Sequence, residues 1–256
     1  MTAEQIPGSE TRAAPRRRPL VAVTIAALAA FAILVSLGVW QVQRLAWKEA
    51  LLAEIDSRIH ASPQSLPPSA DWPSLRPDDY EYRHVRVTGM FEHDHEALVF
   101  LGDSGLKNRP QPGYLVLTPL RLDNGAHVIV NRGFVPDGRQ DAASRAAGQI
   151  AGAVTVTGLM RSPQERNLFT PADDPQNGLY FTRDPALIAA HFDLRDPAPF
   201  TIDEDAEPVP GGLPQGGTTV VDIPNDHFEY ALTWFGLAAA LAGVYTVFVL
   251  KSARQK

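Results

Sequence analysis

The chain has 256 residues, no cysteine and a formal net charge of −6. Without cysteine it has no disulfide framework, no thiolate metal site and no cysteine nucleophile. The acidic balance argues against nucleic acid as a partner.

Residues 1–19 form a polar tail that closes on Arg16-Arg17-Arg18, and 1–15 are expected to be disordered. Leu20–Trp40 is then a run of 21 residues without a charge. A signal peptide has an apolar core of only about 7–15 residues and a small-residue cleavage site. Residues 20–43 therefore read as an uncleaved transmembrane helix. The helical pattern continues beyond it. Trp40, Arg44, Trp47 and Leu51 recur at spacings of four, three and four, and an apolar face reaches His60. Trp40 and Trp47 bracket a membrane surface, where Arg44 and Lys48 meet lipid headgroups by snorkelling.

The prolines at 63, 67, 68, 73 and 77 predict an extended connector over 61–79, with room for one short turn. Strand patterns follow. Tyr82–Phe91 alternates, Glu92–Glu96 is a polar turn, and Ala97–Leu101 returns. Gly113–Leu120 and Ala126–Phe134 flank the hairpin signal Asp123-Asn124-Gly125. Residues 137–150 read as a loop or short helix. Ala153–Met160 is another strand, and its Val154–Leu159 echoes Val85–Met90, as two strands with one alternation and a glycine bend would. A short strand at Leu179–Phe181 precedes a helix capped by Asp184 with Pro185 in its first position. Phe200–Ile202 and Thr218–Val221 complete the strands. The expected fold is membrane-anchored α+β. Two transmembrane helices flank one mostly antiparallel, partly open barrel-like β domain with short helices.

Tyr230–Leu250 is again 21 residues without a charge, enough at about 1.5 Å per residue to cross about 30 Å of hydrocarbon. Arg12 and Arg16–Arg18 precede the first span, and Lys251, Arg254 and Lys256 follow the second. The positive-inside rule then puts 1–19 and 251–256 in the cytoplasm and 44–229 outside it. That outer segment carries 16 Lys/Arg against 27 Asp/Glu, or 16 − 27 = −11. The cytoplasmic ends are too short to fold, which argues against an inward-signalling sensor.

Few residues suggest chemistry. On a helix, His227, Tyr230 and Trp234 fall at i, i+3 and i+7, on one face at the membrane surface. They form either an interfacial aromatic belt or a ligand site, and helix geometry alone leaves both open. His93 and His95, at i and i+2 in an extended turn, point the same way. With Glu92, Asp94 and Glu96 they offer a metal site or simply a polar turn. Arg132 at a strand end suits a carboxylate or a paired charge. The sequence lacks G-x-S-x-G, a P-loop, H-E-x-x-H and C-x-x-C, so an enzyme is not expected.

Three stretches in order resemble the Surfeit locus protein 1 family. They are Gly38–Lys48 (GVWQVQRLAWK), Pro112–Leu120 with Val130–Pro136 (VNRGFVP), and Asn225–Phe235 (NDHFEYALTWF). The resemblance implies a biogenesis factor for cytochrome c oxidase that binds haem a or hands it to the catalytic subunit. His227 matches the family histidine proposed as an axial ligand of the haem iron. On that reading Tyr230 and Trp234 stack on the macrocycle, and Trp40 and Arg44 (or Lys48) adjoin from the first helix, the cation pairing with propionates. The implied partners are the catalytic oxidase subunit, haem a synthase and membrane lipid. A chaperone that scaffolds the subunit without a cofactor, or an unrelated extracytoplasmic binding module, would fit the same layout. No transit peptide is evident, and Glu4 and Glu10 interrupt the basic N-terminus, so a bacterial inner membrane with a periplasmic domain is expected.

Overall fold

The computed structural model describes residues 17–102, 111–218 and 224–254. The chain forms two units, one running to Leu52 and resuming at Ile223, the other beginning at Ala53 and holding the strands.

The first unit is built from two helices, α1 (Arg17–Ile59) and α4 (His227–Arg254). Both are long and apolar enough to cross a membrane. Lys251 and Arg254 lie in the last turn of α4, where cations suit the helix dipole. The helices run side by side and antiparallel. Tyr245 donates to Thr24 Oγ1 at one end (2.7 Å), and Gln41 meets His227 at the other (2.7 Å). Small residues bring them together. Ala231 and Ala238 are buried, and a Cβ on Gly38 would lie 2.7 Å from the Phe235 ring. Such close approach over small side chains is how apolar helices associate in lipid, where no hydrophobic force draws them together.

The second unit centres on a closed five-stranded barrel. Strand β2 (His84–Phe91) pairs with β6 (Ala153–Arg161), and β6 with β8 (Pro197–Glu204). Next come β5 (His127–Pro136) and β4 (Gly113–Arg121), which pairs back onto β2. The partly open barrel expected from sequence is thus closed, through Met90↔Arg121 and Phe91↔Leu120. Glycine permits the closure: a Cβ on Gly89 would lie 2.6 Å from the Arg121 carbonyl oxygen. Its echo Gly158 sits where β6 meets β8, 2.2 Å by the same measure from Asp203 O. The repeated Val-Thr-Gly is therefore a repeated crossing point rather than a duplicated module. Most ladders are antiparallel; β5–β8 is parallel, as are the short additions β1 (Gln64–Ser65) on β2 and β7 (Leu179–Tyr180) on β3 (Ala97–Leu101).

The barrel interior takes alternate residues: Val85 and Val87, Leu120, Val128 and Val130, Val156 and Met160, Phe200 and Ile202. Each such side chain, fully buried, contributes about 1.5–3 kcal/mol. Strands β4 and β5 are buried on their second face too. There β3, β7 and α3 (Pro185–His191) pack Val99, Leu117, Ile129, Tyr180 and Ile188 together. That double cover is why β5 is buried along nearly its whole length instead of on alternate residues. Asp184 caps α3 as expected, its carboxylate accepting from the Ala186 and Leu187 amides.

The connector over 61–79 departs from expectation. It folds into a 3-10 turn at Ser69–Ser74 and the short helix α2 (Pro77–Tyr80). Trp72 and Tyr80 are buried, their rings 5.6 and 5.4 Å from that of Phe200. Two large aromatics in a proline-rich segment have core to reach, and 3-10 geometry tolerates the prolines that a long helix would not. Residues 137–150 hold a 3-10 segment at Ala142–Gly148. The strand expected over Thr218–Val221 lies, but for Thr218, outside the described residues.

Candidate functional site

His227 is the first residue of α4, and the amide of Tyr230 donates to the Asp226 carbonyl to start the helix (3.2 Å). The imidazole faces α1. Its Nδ1–H donates to Gln41 Oε1 at 2.7 Å, and Gln41 is itself 8% exposed. With Nδ1 carrying the proton, a neutral imidazole presents a bare lone pair on Nε2. Among the described residues nothing bonds Nε2. A histidine with one nitrogen held by an oxygen and the other open has the arrangement of a metal ligand with its supporting partner.

The other residues singled out by sequence are near but less engaged. Trp234 is half-buried and Tyr230 is exposed, because Ala231, not Tyr230, turns into the helix seam one turn above His227. Trp40 is exposed beside Gln41 in the chain. The exposed Arg44 places its guanidinium 4.0 Å from the Trp47 ring centroid. Helical periodicity pointed to this stretch and missed the polar contact within it. Gln41 looked like an ordinary interfacial residue; the available signal was its spacing of three from Gly38, the smallest residue on that face.

The barrel unit has buried charge of its own. Glu96 accepts a two-nitrogen fork from Arg145 (3.2 and 2.6 Å) and a bond from Gln149 (3.1 Å). Burial alone would raise the Glu96 pKa, but the Arg145 fork outweighs it and holds the carboxyl below its ordinary value. Arg132, 1% exposed, donates to the Gly148 carbonyl (2.6 Å) and lies over the Phe91 ring (4.7 Å). Across the barrel wall, burial pushes Glu204 up to about 7, against the pull of Arg132. Asp203 binds Arg183 (2.8 Å to each oxygen), Arg161 (3.2 Å) and Asn131 (3.0 Å). These arginines line an open cavity of about 430 Å³ with Phe100 and Phe181, but their charge is matched by Asp203 and Glu81. Most of the barrel charges serve one another, but Arg132 Nε and Nη1 and Glu204 Oε2 are buried without a hydrogen-bond partner among the described residues.

Of the two readings of His93 and His95, a metal site or a polar turn, the structure shows the turn. His93–His95 is a 3-10 turn, so residues two apart do not share a face as they would in an extended chain. His95 stacks on Phe192, with centroids 5.0 Å apart, while His93 Nε2 meets the Ile150 carbonyl at 3.0 Å. Among the described residues no cluster of three or more His, Asp or Glu is disposed to hold a metal ion.

Fold and site together define a class: a pair of membrane-length helices, with one imidazole nitrogen left open in their contact, whose sequence flanks a small closed β-barrel. The chain matches the model of the SURF1 family over residues 28–239 and belongs to that family. It is 36% identical to a SURF1-like protein of Monosiga brevicollis over 212 residues, covering 79% of this chain and 78% of that one. Surfeit locus protein 1 of Rattus norvegicus is 37% identical over 215 residues (80% and 68%), and that of Homo sapiens 38% over 217 (80% and 70%).

Proposed function

We propose that this protein is a membrane-anchored assembly factor for cytochrome c oxidase, and that it binds haem a through His227 Nε2 before delivery to the catalytic subunit. Family membership supports the assembly role. The observation that carries the haem reading is the Gln41–His227 bond, which leaves Nε2 open at the end of an apolar helix pair. Haem a, when bound, supplies a redox-active iron in an apolar macrocycle with two propionates. Such a molecule suits a place that is half lipid and half water. Trp234 and Tyr230 offer ring surface on the helix that carries His227, and Arg44 offers a cation one turn beyond Gln41 on α1. The flanking basic residues support an orientation with both termini cytoplasmic and 44–229 on the opposite side, and we place the chain in a bacterial inner membrane. Haem a synthase is the natural donor and lipid the surrounding medium.

The test is to purify the full chain from cells making haem a and compare it with His227→Ala. The variant is expected to lose haem and the associated absorption. Unchanged haem content and spectrum would sink the assignment. If the wild-type chain captured the oxidase subunit but never carried haem, a scaffolding role would replace this one.

A further inference from the structure

We infer that Gln41 is the positioning residue that prepares His227 for iron, and that through it the strength of the ligand is tied to the pairing of the two helices. This rests on His227 being the ligand. A neutral imidazole carries one proton, and an unrestrained ring shares it between two tautomers and turns freely about its side-chain torsions. The 2.7 Å bond to Gln41 removes both freedoms: it keeps the proton on Nδ1 and fixes the ring plane. Gln41 is buried, so its carbonyl has no ready water to take instead, and the bond acts in a low-dielectric setting that strengthens it. An oxygen acceptor on Nδ1–H also makes Nε2 a better donor to iron.

The acceptor belongs to α1 and the ligand to α4. Their bond therefore exists only while the helices stay in register. Gly38, one turn from Gln41, lets the Phe235 ring approach to a distance that no side chain would allow, and thereby fixes the spacing at this end. The Thr24–Tyr245 bond lies at the opposite end of the pair, too far along the helices to bear on the spacing at Gln41. A partner that parts the helices near Gln41 would free Nδ1, weaken Nε2 as a donor and favour release, without touching the iron.

The full chain, purified from cells making haem a, gives three readouts: haem per protein, the ferric electron paramagnetic resonance spectrum and the reduction midpoint. Gln41→Leu is expected to weaken haem retention about 10–100-fold, the usual cost of losing such a supporting partner. Gln41→Glu keeps the acceptor, discards the amide donor and adds charge. It is expected to retain haem and move the midpoint to a more negative potential. Thr24→Val breaks the far contact and is expected to change none of the three. Wild-type retention, spectrum and midpoint in Gln41→Leu, with His227→Ala empty, would overturn the role of Gln41 alone. An unshifted spectrum and midpoint in Gln41→Glu would do the same, even if Gln41→Leu failed to fold. Wild-type haem in His227→Ala would overturn the ligand reading and this inference together.

Discussion

The helix pair and the barrel treat polar groups in opposite ways. In the barrel, buried charges come in sets: Glu96 is served by Arg145 and Gln149, and Asp203 by Arg161, Arg183 and Asn131. The exceptions are Arg132 and Glu204, which keep buried polar atoms without a hydrogen-bond partner among the described residues. The helix pair holds far fewer polar contacts, and one of them leaves a ring nitrogen open. The barrel's ion pairs lie within a closed fold, whereas on the proposed function the Gln41–His227 contact serves a ligand. Removing a partner should therefore be costly for folding in the first region and costly for ligand binding in the second.

The sharpest break of that contrast is Arg145→Met. It strips the fork from a buried carboxylate and is expected to destabilise the chain by about 3–5 kcal/mol, read by chemical unfolding of the full chain in detergent. Gly158→Ala comes next. Its methyl would press on the Asp203 carbonyl from 2.2 Å, and the overpacking is expected to cost about 1–3 kcal/mol. His227→Ala leaves the buried Gln41 carbonyl without its donor and should cost about 1–3 kcal/mol, while abolishing haem retention. A loss of stability comparable with that of Arg145→Met would erase the distinction between the regions.

Glu204→Gln should reshape the pH dependence of stability more than its maximum. The folded-state pKa, raised to about 7 from 4.5, means that the protonated carboxyl is the form the fold prefers. Its contribution is complete below about pH 4.5 and is lost as pH rises through about 7. The glutamine variant is expected to match the parent at pH 4 and to melt at a higher temperature at pH 8. Equal melting temperatures at pH 8 would show that the carboxyl is solvated. Glu96 has the opposite sign: its contribution is present above its ordinary pKa and fades only in more acid solution. The smallest effect belongs to Arg195→Ala. Its exposed pair with Asp196 (3.4 Å) is worth at most about 1 kcal/mol.

By itself the sequence determined most of the local structure. Charge-free runs fixed the two long helices, because backbone groups in an apolar setting must pair within their own helix. Alternation fixed the strands, and Asp184-Pro185 fixed the start of α3, because these signals act within a few residues. Three motifs in order determined the family. Only tertiary structure decided how those parts met. Barrel closure depends on Gly89 reaching a carbonyl 32 positions away, and a closing strand carries no mark of its partner. The proline-rich stretch became a plug because Trp72 and Tyr80 found Phe200 more than a hundred positions on. His93 and His95 lost their shared face to a single 3-10 turn. At the site, periodicity placed His227 on a helix but could not supply Gln41. That pairing spans 186 positions and is set by how closely two helices pack over Gly38, a distance that side-chain size and lipid exclusion fix only once both helices are present.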